Sequence, residues 1–146
     1  MISCSSLQTT KKRNKLMKNS NWTTENIPDQ TGRITIVTGS NSGIGFEAAK
    51  VLAAKGADVV LAVRNQEKGD QAKAEIIKGH AQAKVTVSLL DLSSLKSVKA
   101  FSEEFANTHT QLDLLINNAG IMIPPYGKTE DGFESQMGTN HLGHFA

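Results

Sequence analysis

The sequence has few of the features that define a secreted or membrane-spanning protein. Its 146 residues include a single cysteine, Cys4, so one chain can form neither an internal disulfide nor a cysteine-based zinc site. No apolar run approaches the roughly 18 residues that cross a bilayer, and the N-terminus lacks the apolar stretch of a signal peptide. We therefore expect no integral membrane segment, a reducing compartment, and the cytoplasm as the location.

Positive charge is concentrated at the start of the chain. Residues 1–20 contain five of the 16 Lys and Arg residues and no acid, whereas the remaining residues carry 11 basic and 14 acidic side chains. We expect residues 1–30 to form a basic extension without fixed structure, and residues 31–146 to form one folded domain. Met17 is a second candidate start. A basic extension alone indicates little about nucleic acid, so no nucleic-acid partner is predicted.

From residue 33 onward, short β-branched runs alternate with amphipathic segments. Strands are predicted to begin near residues 34, 58, 84 and 112, and helices over 43–55, over 67–78, from Ser93 or Ser94, and from Thr129 or Asp131. Strict alternation predicts right-handed crossovers and a doubly wound α/β fold with a parallel sheet in the order 3-2-1-4. Two more units, roughly 50 residues, would complete a six-stranded Rossmann fold, so we expect a Rossmann domain truncated after about four βα units.

Three glycines occupy the loop between the first predicted strand and the first helix. Gly39, Gly43 and Gly45 lie where backbone N–H groups and the positive end of a helix dipole can bind phosphate. Gly39 would allow the tight turn, Gly43 the close approach of a pyrophosphate, and Gly45 the packing of helix on strand. A plain strand-to-helix turn, the alternative, would need only one glycine.

The other strand ends carry polar residues suited to a dinucleotide. Arg64 follows the second strand, where NAD-binding folds usually place an acid; it favours NADP, with NAD still possible, although a solvated loop cation is the alternative. Asp91 follows the third strand, where it could bind an adenine amino group or cap the next helix. Asn117 and Asn118 end the fourth strand before the small pair Ala119-Gly120, which would let a cofactor approach, unless the segment is a simple turn.

These elements, in this order, resemble the short-chain dehydrogenase/reductase superfamily, whose motifs are TGxxxGIG, an Asp after the third strand, and NNAG after the fourth. The resemblance extends over residues 31–146, and the stretch Asn140–Phe145 (NHLGHF) is similar in particular to the retinol-dehydrogenase-like branch. It implies NAD(P)-dependent interconversion of a small-molecule alcohol and a carbonyl. A homo-oligomer is one assembly of the full-length form that the resemblance allows.

The resemblance also implies roles for individual residues. Gly39, Ser40, Asn41, Ser42, Gly43, Ile44 and Gly45 would surround the pyrophosphate, Arg64 and Asn65 the 2′-phosphate, Asp91 and Leu92 the adenine, and Asn117, Ala119 and Gly120 the nicotinamide ribose. Asn140 matches the asparagine of the Asn-Ser-Tyr-Lys catalytic set, where it supports a proton-relay water. His141 and His144 match no family role and are expected to pack or face solvent. No metal site is predicted.

The sequence departs from the family at the tyrosine–lysine pair. The resemblance places a tyrosine four residues before a lysine, both beyond the fourth βα unit. Here the only tyrosine is Tyr126, and the residue four positions later is Glu130, so the catalytic pair is absent. The chain alone is therefore expected to be inactive. The alternative interpretation is a non-catalytic dinucleotide-binding module or the product of an interrupted gene. A flavin- or mononucleotide-binding α/β protein shares the alternation but does not explain the glycines together with NNAG.

Overall fold

A computed structural model describes residues 22–146, which form a four-stranded parallel sheet flanked by helices. The strands are β1 (Ile34–Thr38), β2 (Asp58–Val63), β3 (Lys84–Leu89) and β4 (Leu114–Ile116), and the helices between them are α1 (Gly43–Ala54), α2 (Gln66–Gly79) and α3 (Leu95–Thr108). The strand order is β3-β2-β1-β4. The predicted Rossmann-like fold is confirmed.

Both faces of the sheet carry apolar side chains, and helices cover both faces. Side chains alternate along a strand, so Val59 and Leu61 of β2 join one apolar layer while Val60 and Ala62 join the other. The first layer packs against α1 and α2, and the second packs against Phe101 of α3. The near-continuous apolar runs of β1 and β2 are those of strands covered on both faces.

The last helical segment begins later than predicted. It consists of Ser135–Met137, a π-helical stretch Gly138–Leu142, and Gly143–Phe145. The predicted starts, Thr129 and Asp131, precede it and have other functions. Asp131 Oδ2 accepts a hydrogen bond from Leu95 N at 2.9 Å, so Asp131 caps α3. Thr129 closes a turn, in which its carbonyl accepts from Gly132 N at 3.0 Å.

The segment before β1 includes the last residues of the predicted extension. Residues 1–21 of the predicted extension lie outside the described residues. Within residues 22–30, Thr24–Asn26 form a 3-10 turn, and Gln30 is buried with its backbone N donating to Lys55 O at 2.8 Å. Because the last carbonyls of a helix need partners from outside the helix, the end of α1 binds this segment to the domain. Gln30 thus joins the end of this segment to the domain, whereas residues 22–26, 28 and 29 are exposed.

No helix within residues 22–146 is both long and apolar enough to cross a bilayer.

Gly69 allows α2 to lie close to the sheet, and this generates a prediction about stability. A Cβ built on Gly69 would lie 2.6 Å from Val87 Cγ1 and 2.7 Å from Val63 Cγ2. We expect Gly69→Ala to lower the free energy of unfolding by about 1–3 kcal/mol, because α2 must move outward to make room for the methyl group. Chemical denaturation followed by circular dichroism measures this loss.

Gly79→Ala is the matched control in the same helix. A Cβ on Gly79 would meet no heavy atom within 4 Å, so the added methyl group costs no packing. Alanine also has the higher helix propensity, and we expect no loss of stability. Equal unfolding midpoints for the two variants would contradict the close packing of α2.

Candidate functional site

An open cleft lies at the carboxyl end of the sheet, where the chain crosses from β1 to neighbours on either side. Ligands of doubly wound folds bind at this position. The cleft has a volume of about 270 Å³. It is lined by Gly39, Asn41, Ser42, Arg64, Leu90, Asp91, Leu92, Asn118, Ala119, Gly120, Ile121 and Thr139. All four strands thus contribute the loop that follows them.

Eight predicted site residues meet in this cleft, namely Gly39, Asn41, Ser42, Arg64, Asp91, Leu92, Ala119 and Gly120. Gly43, Ile44 and Gly45 open α1 beside it. Ser40 is fully buried, and its Oγ donates to Val37 O at 2.8 Å. Asn65 caps α2 by accepting from Lys68 N at 2.9 Å. Asn117 and Asn140 line a separate depression together with His141, His144 and Phe145.

The glycine loop is held by its close approach to the segment after β4. Gly39 has φ +65°, and a Cβ on it would lie 2.9 Å from the Cα of Ala119. A Cβ on Gly45 would lie 2.8 Å from Gly39 O and would collide with the side chain of Asn118. Gly45 therefore packs the start of α1 on this corner, where β1 and β4 end. Any larger residue at either glycine would push the two loops apart.

The N-terminus of α1 has the properties of an anion site. Gly43 has φ +60°, and a Cβ on it would meet nothing within 4 Å, so the backbone there is open to an approaching group. Ser42 is the N-cap residue, but its side chain makes no capping hydrogen bond, and the first turn contains no acid. Uncapped N–H groups at the positive end of a 12-residue helix attract phosphate.

Thr38, the last residue of β1, joins the two loops, and the sequence analysis did not identify it as a site residue. Its Oγ1 accepts hydrogen bonds from Asn118 N at 3.0 Å and Ala119 N at 2.9 Å. In return, Asn118 Nδ2 donates to Thr38 O at 3.0 Å. The available signal was a polar residue ending a buried apolar strand directly before a glycine. Thr139 and Leu90 also line the cleft without having been predicted.

Arg64 and Asp91 bring opposite charges to the cleft. Arg64 is exposed, and within residues 22–146 its guanidinium forms no salt bridge. Asp91 Oδ1 accepts from Ser93 N at 2.9 Å and from Ser93 Oγ at 2.6 Å, so this carboxylate fixes the turn before α3 and does not cap the helix itself, whose N-cap residue is Ser94. Because the exposed guanidinium of Arg64 is positively charged and can bind a phosphate with two hydrogen bonds, Arg64 is the cleft residue best suited to a phosphate.

Asn140 holds the loop that follows NNAG. Its Oδ1 accepts from Ile121 N and its Nδ2 donates to Ile121 O, both at 2.8 Å. Gln136, one turn earlier, accepts from Ile123 N at 2.9 Å. Ile123 has φ +50°, which is unfavourable for a β-branched residue and persists because its surroundings fix the loop.

Glu134 caps the helical segment that carries Asn140. Its two carboxylate oxygens accept from Gln136 N and Met137 N, each at 2.8 Å. These backbone donors lower the pKa of Glu134 below its usual value, because they stabilise the charged form. The cap therefore stabilises the fold above the unfolded-state pKa and is lost as the pH falls through the lowered value.

Within residues 22–146, no three His, Cys, Asp or Glu side chains are grouped so as to hold a metal ion.

Comparison with known proteins connects this geometry to one family. The sequence profile described as short chain dehydrogenase matches residues 33–146. Human retinol dehydrogenase 12 is 50% identical over 114 residues, which cover 78% of this chain and 36% of the human protein. Retinol dehydrogenase 11 from Mus musculus is 52% identical over the same shares of the two chains. The chain thus spans about a third of the length of these relatives.

Solved structures agree with the sequence matches. An uncharacterized protein from Mycobacterium paratuberculosis is 46% identical with a TM-score of 0.75, covering 86% of this chain and 44% of the other. A metagenomic short-chain oxidoreductase in complex with NADP is 33% identical with a TM-score of 0.60, covering 64% of this chain and 41% of that one.

The hydroxyl of Thr38 generates the prediction of this subsection. We expect Thr38→Val to lower the free energy of unfolding by about 1–3 kcal/mol, because Asn118 N and Ala119 N would lose their acceptor away from bulk water. Thr38→Ser keeps the hydroxyl and loses only a methyl group, so it should cost less, about 1 kcal/mol. Urea denaturation of both variants measures the difference, and a serine variant less stable than the valine variant would contradict the role of the hydroxyl.

Proposed function

The chain belongs to the short-chain dehydrogenase family, and on that premise we propose that it is part of an NADP(H)-dependent oxidoreductase that interconverts an alcohol and a carbonyl. One observation carries this proposal: the glycine loop, the open N-terminus of α1 and the exposed Arg64 border a single cleft. The names of the retinol dehydrogenases it resembles support an alcohol as substrate. The NADP in a related crystal structure supports the choice of cofactor.

The residues of the cleft fit a dinucleotide by chemical type. In our proposal the pyrophosphate binds at Asn41 and Ser42 with the glycines of this loop and Ile44, while the buried Ser40 supports the loop through its bond to Val37 O. Arg64 binds the 2′-phosphate, beside Asn65, which caps α2. Asp91 and Leu92 border the adenine, and Asn117, Ala119 and Gly120 border the nicotinamide ribose. The open backbone at Gly43 supports this arrangement, because phosphate oxygens need approach to N–H groups without an intervening side chain. The bound cofactor supplies the hydride.

Proton transfer is the step for which this chain offers least. Tyr126 is 84% exposed, and the residue four positions after it is Glu130, not the lysine that follows the family's tyrosine at that spacing. The side-chain amide of Asn140 is hydrogen-bonded to both the backbone N and the backbone O of Ile121, which fixes it beside the loop after NNAG. In this arrangement the backbone of Asn140 is the part left for the proposed relay function. These residues favour cofactor binding without turnover by residues 1–146. A non-catalytic dinucleotide-binding module is therefore the second candidate.

The remaining assignments stay predictions. They are the basic extension over residues 1–30, the folded domain over residues 31–146, the cytoplasm as location, and a homo-oligomer as an assembly of the full-length form.

Arg64 generates the prediction on cofactor choice. We expect the chain to bind NADPH more tightly than NADH, and Arg64→Ala to weaken NADPH binding about ten- to a hundredfold while leaving NADH nearly unchanged. The reason is the loss of a charge-assisted contact, worth about 1.5–3 kcal/mol, to the extra phosphate. Fluorescence titration with both cofactors measures the four dissociation constants.

Lys78→Ala is the control for this titration, since it removes the same charge from the exposed last turn of α2, the helix that follows Arg64. The Lys78→Ala variant should still bind NADPH more tightly than NADH. Equal affinity of the unaltered chain for NADPH and NADH would overturn the assignment of Arg64, and a similar loss in the Lys78→Ala variant would reduce it to general charge attraction.

A second prediction tests whether residues 1–146 catalyse a reaction by themselves. The purified chain should bind NADPH but should not oxidise it when offered a broad panel of aldehydes and ketones, because residues 22–146 offer no positioned proton donor beside the cleft. Absorbance of NADPH over time measures turnover. If turnover occurs, the chain is itself an enzyme, and loss of the rate in Tyr126→Phe would identify the donor.

A further inference from the structure

His144 lies between two backbone elements of the site. Its Nδ1 is 3.1 Å from Asn140 O, and its Nε2 is 2.9 Å from Thr38 Oγ1. The residue is half-buried and belongs to the last helical segment, whereas Thr38 ends β1. The sequence analysis assigned His144 to packing or solvent, and neither assignment includes these two hydrogen bonds.

The hydrogen bonds of Thr38 determine which ring nitrogen carries the proton. A hydroxyl has one proton to donate and two lone pairs. Both lone pairs of Thr38 Oγ1 accept backbone N–H groups, from Asn118 at 3.0 Å and Ala119 at 2.9 Å. The proton can then go either to Ile116 O at 3.4 Å or to His144 Nε2 at 2.9 Å. The shorter contact is with Nε2, so Nε2 is the acceptor.

The other ring nitrogen follows from the same accounting. Asn140 O can only accept, so the contact with Nδ1 requires the proton on Nδ1. One tautomer, the neutral ring protonated on Nδ1, satisfies both contacts. The opposite tautomer would place an N–H against a hydroxyl whose lone pairs are already used and a bare nitrogen against a carbonyl.

We propose that His144, as the neutral tautomer protonated on Nδ1, is a positioning residue that binds the Asn140 backbone to the end of β1. Through Thr38 it fixes Asn118 and Ala119 along the cleft, and through Asn140 it fixes the helical segment whose side-chain amide holds Ile121. The consequence for cofactor affinity rests on the proposed function, whereas the tautomer and the coupling of the two loops do not.

The first measurement tests the tautomer directly. In the chain labelled with ¹⁵N-histidine, two-bond ¹⁵N–¹H correlations distinguish a proton on Nδ1 from one on Nε2. The Nδ1–H form is the minority tautomer of free histidine, so its detection at His144 supports the proposal. A proton on Nε2, or on both nitrogens at neutral pH, overturns it.

The second measurement uses three variants to test positioning. His144→Phe keeps a planar ring without nitrogens, His144→Gln restores one donor and one acceptor, and His80→Phe makes the same change as the first at an exposed position after α2 that lines neither the cleft nor the depression. We expect His144→Phe to weaken NADPH binding about tenfold, His144→Gln to restore it to within about threefold, and His80→Phe to leave it unchanged. Unaltered affinity in His144→Phe overturns the positioning role.

The NMR signals of backbone amides test the coupling of the two loops without any cofactor. In the ligand-free chain, His144→Phe should shift the signals of Asn118 and Ala119, His144→Gln should shift them less, and His80→Phe should leave them in place. If the unaltered chain binds neither NADPH nor NADH, the proposed function fails, and the amide shifts still decide the coupling. If these signals do not move in a folded His144→Phe variant, the coupling through Thr38 is wrong even when the chain binds NADPH.

Discussion

The close approach of the loops after β1 and β4 is the constraint on which the cleft depends. A Cβ on Gly39 would lie 2.9 Å from both the Cα and the Cβ of Ala119, so the two backbones are as near as small residues allow. At this corner, Thr38 Oγ1 accepts hydrogen bonds from the backbone N of Asn118 and of Ala119. Gly45 packs against the same corner from α1. The start of α1, and with it the anion-binding end of the helix, is therefore positioned by residues that lie far away in the sequence.

The order of the elements was predictable because each strand is a short apolar run and each helix is an amphipathic segment. Their parallel arrangement followed from the strict alternation and was confirmed, as was the strand order. The last helix was placed too early, because Thr129 and Asp131 have side chains of the type that cap helices. The sequence does not show that Asp131 caps α3, which lies earlier in the chain.

The candidate site was predictable where local sequence determines its geometry. The glycines, Arg64 and Asp91 stand next to strands, and they indeed border the cleft or the helix that opens beside it. The roles of Thr38 and His144 depend on partners about 80 and 106 positions away, and no local pattern contains these pairings. Asn117 and Asn118 are adjacent in sequence, yet Asn118 lines the cleft while Asn117 faces the depression near His144. Which of the two asparagines faces the cleft depends on how the chain leaves β4, and this is not visible in the sequence.

The position of β4 beside β1 also affects how the chain folds. Ile34 pairs with Asp58, 24 residues later, whereas Thr35 pairs with Leu114, 79 residues later. Loop-closure entropy makes the longer connection about 1 kcal/mol more costly if both form from an open chain. The least costly sequence of events assembles β1, β2 and β3 first and adds β4 to an existing layer. Among residues 22–146, the cleft, which needs the loop after β4, is then expected to form after the layer of β1, β2 and β3.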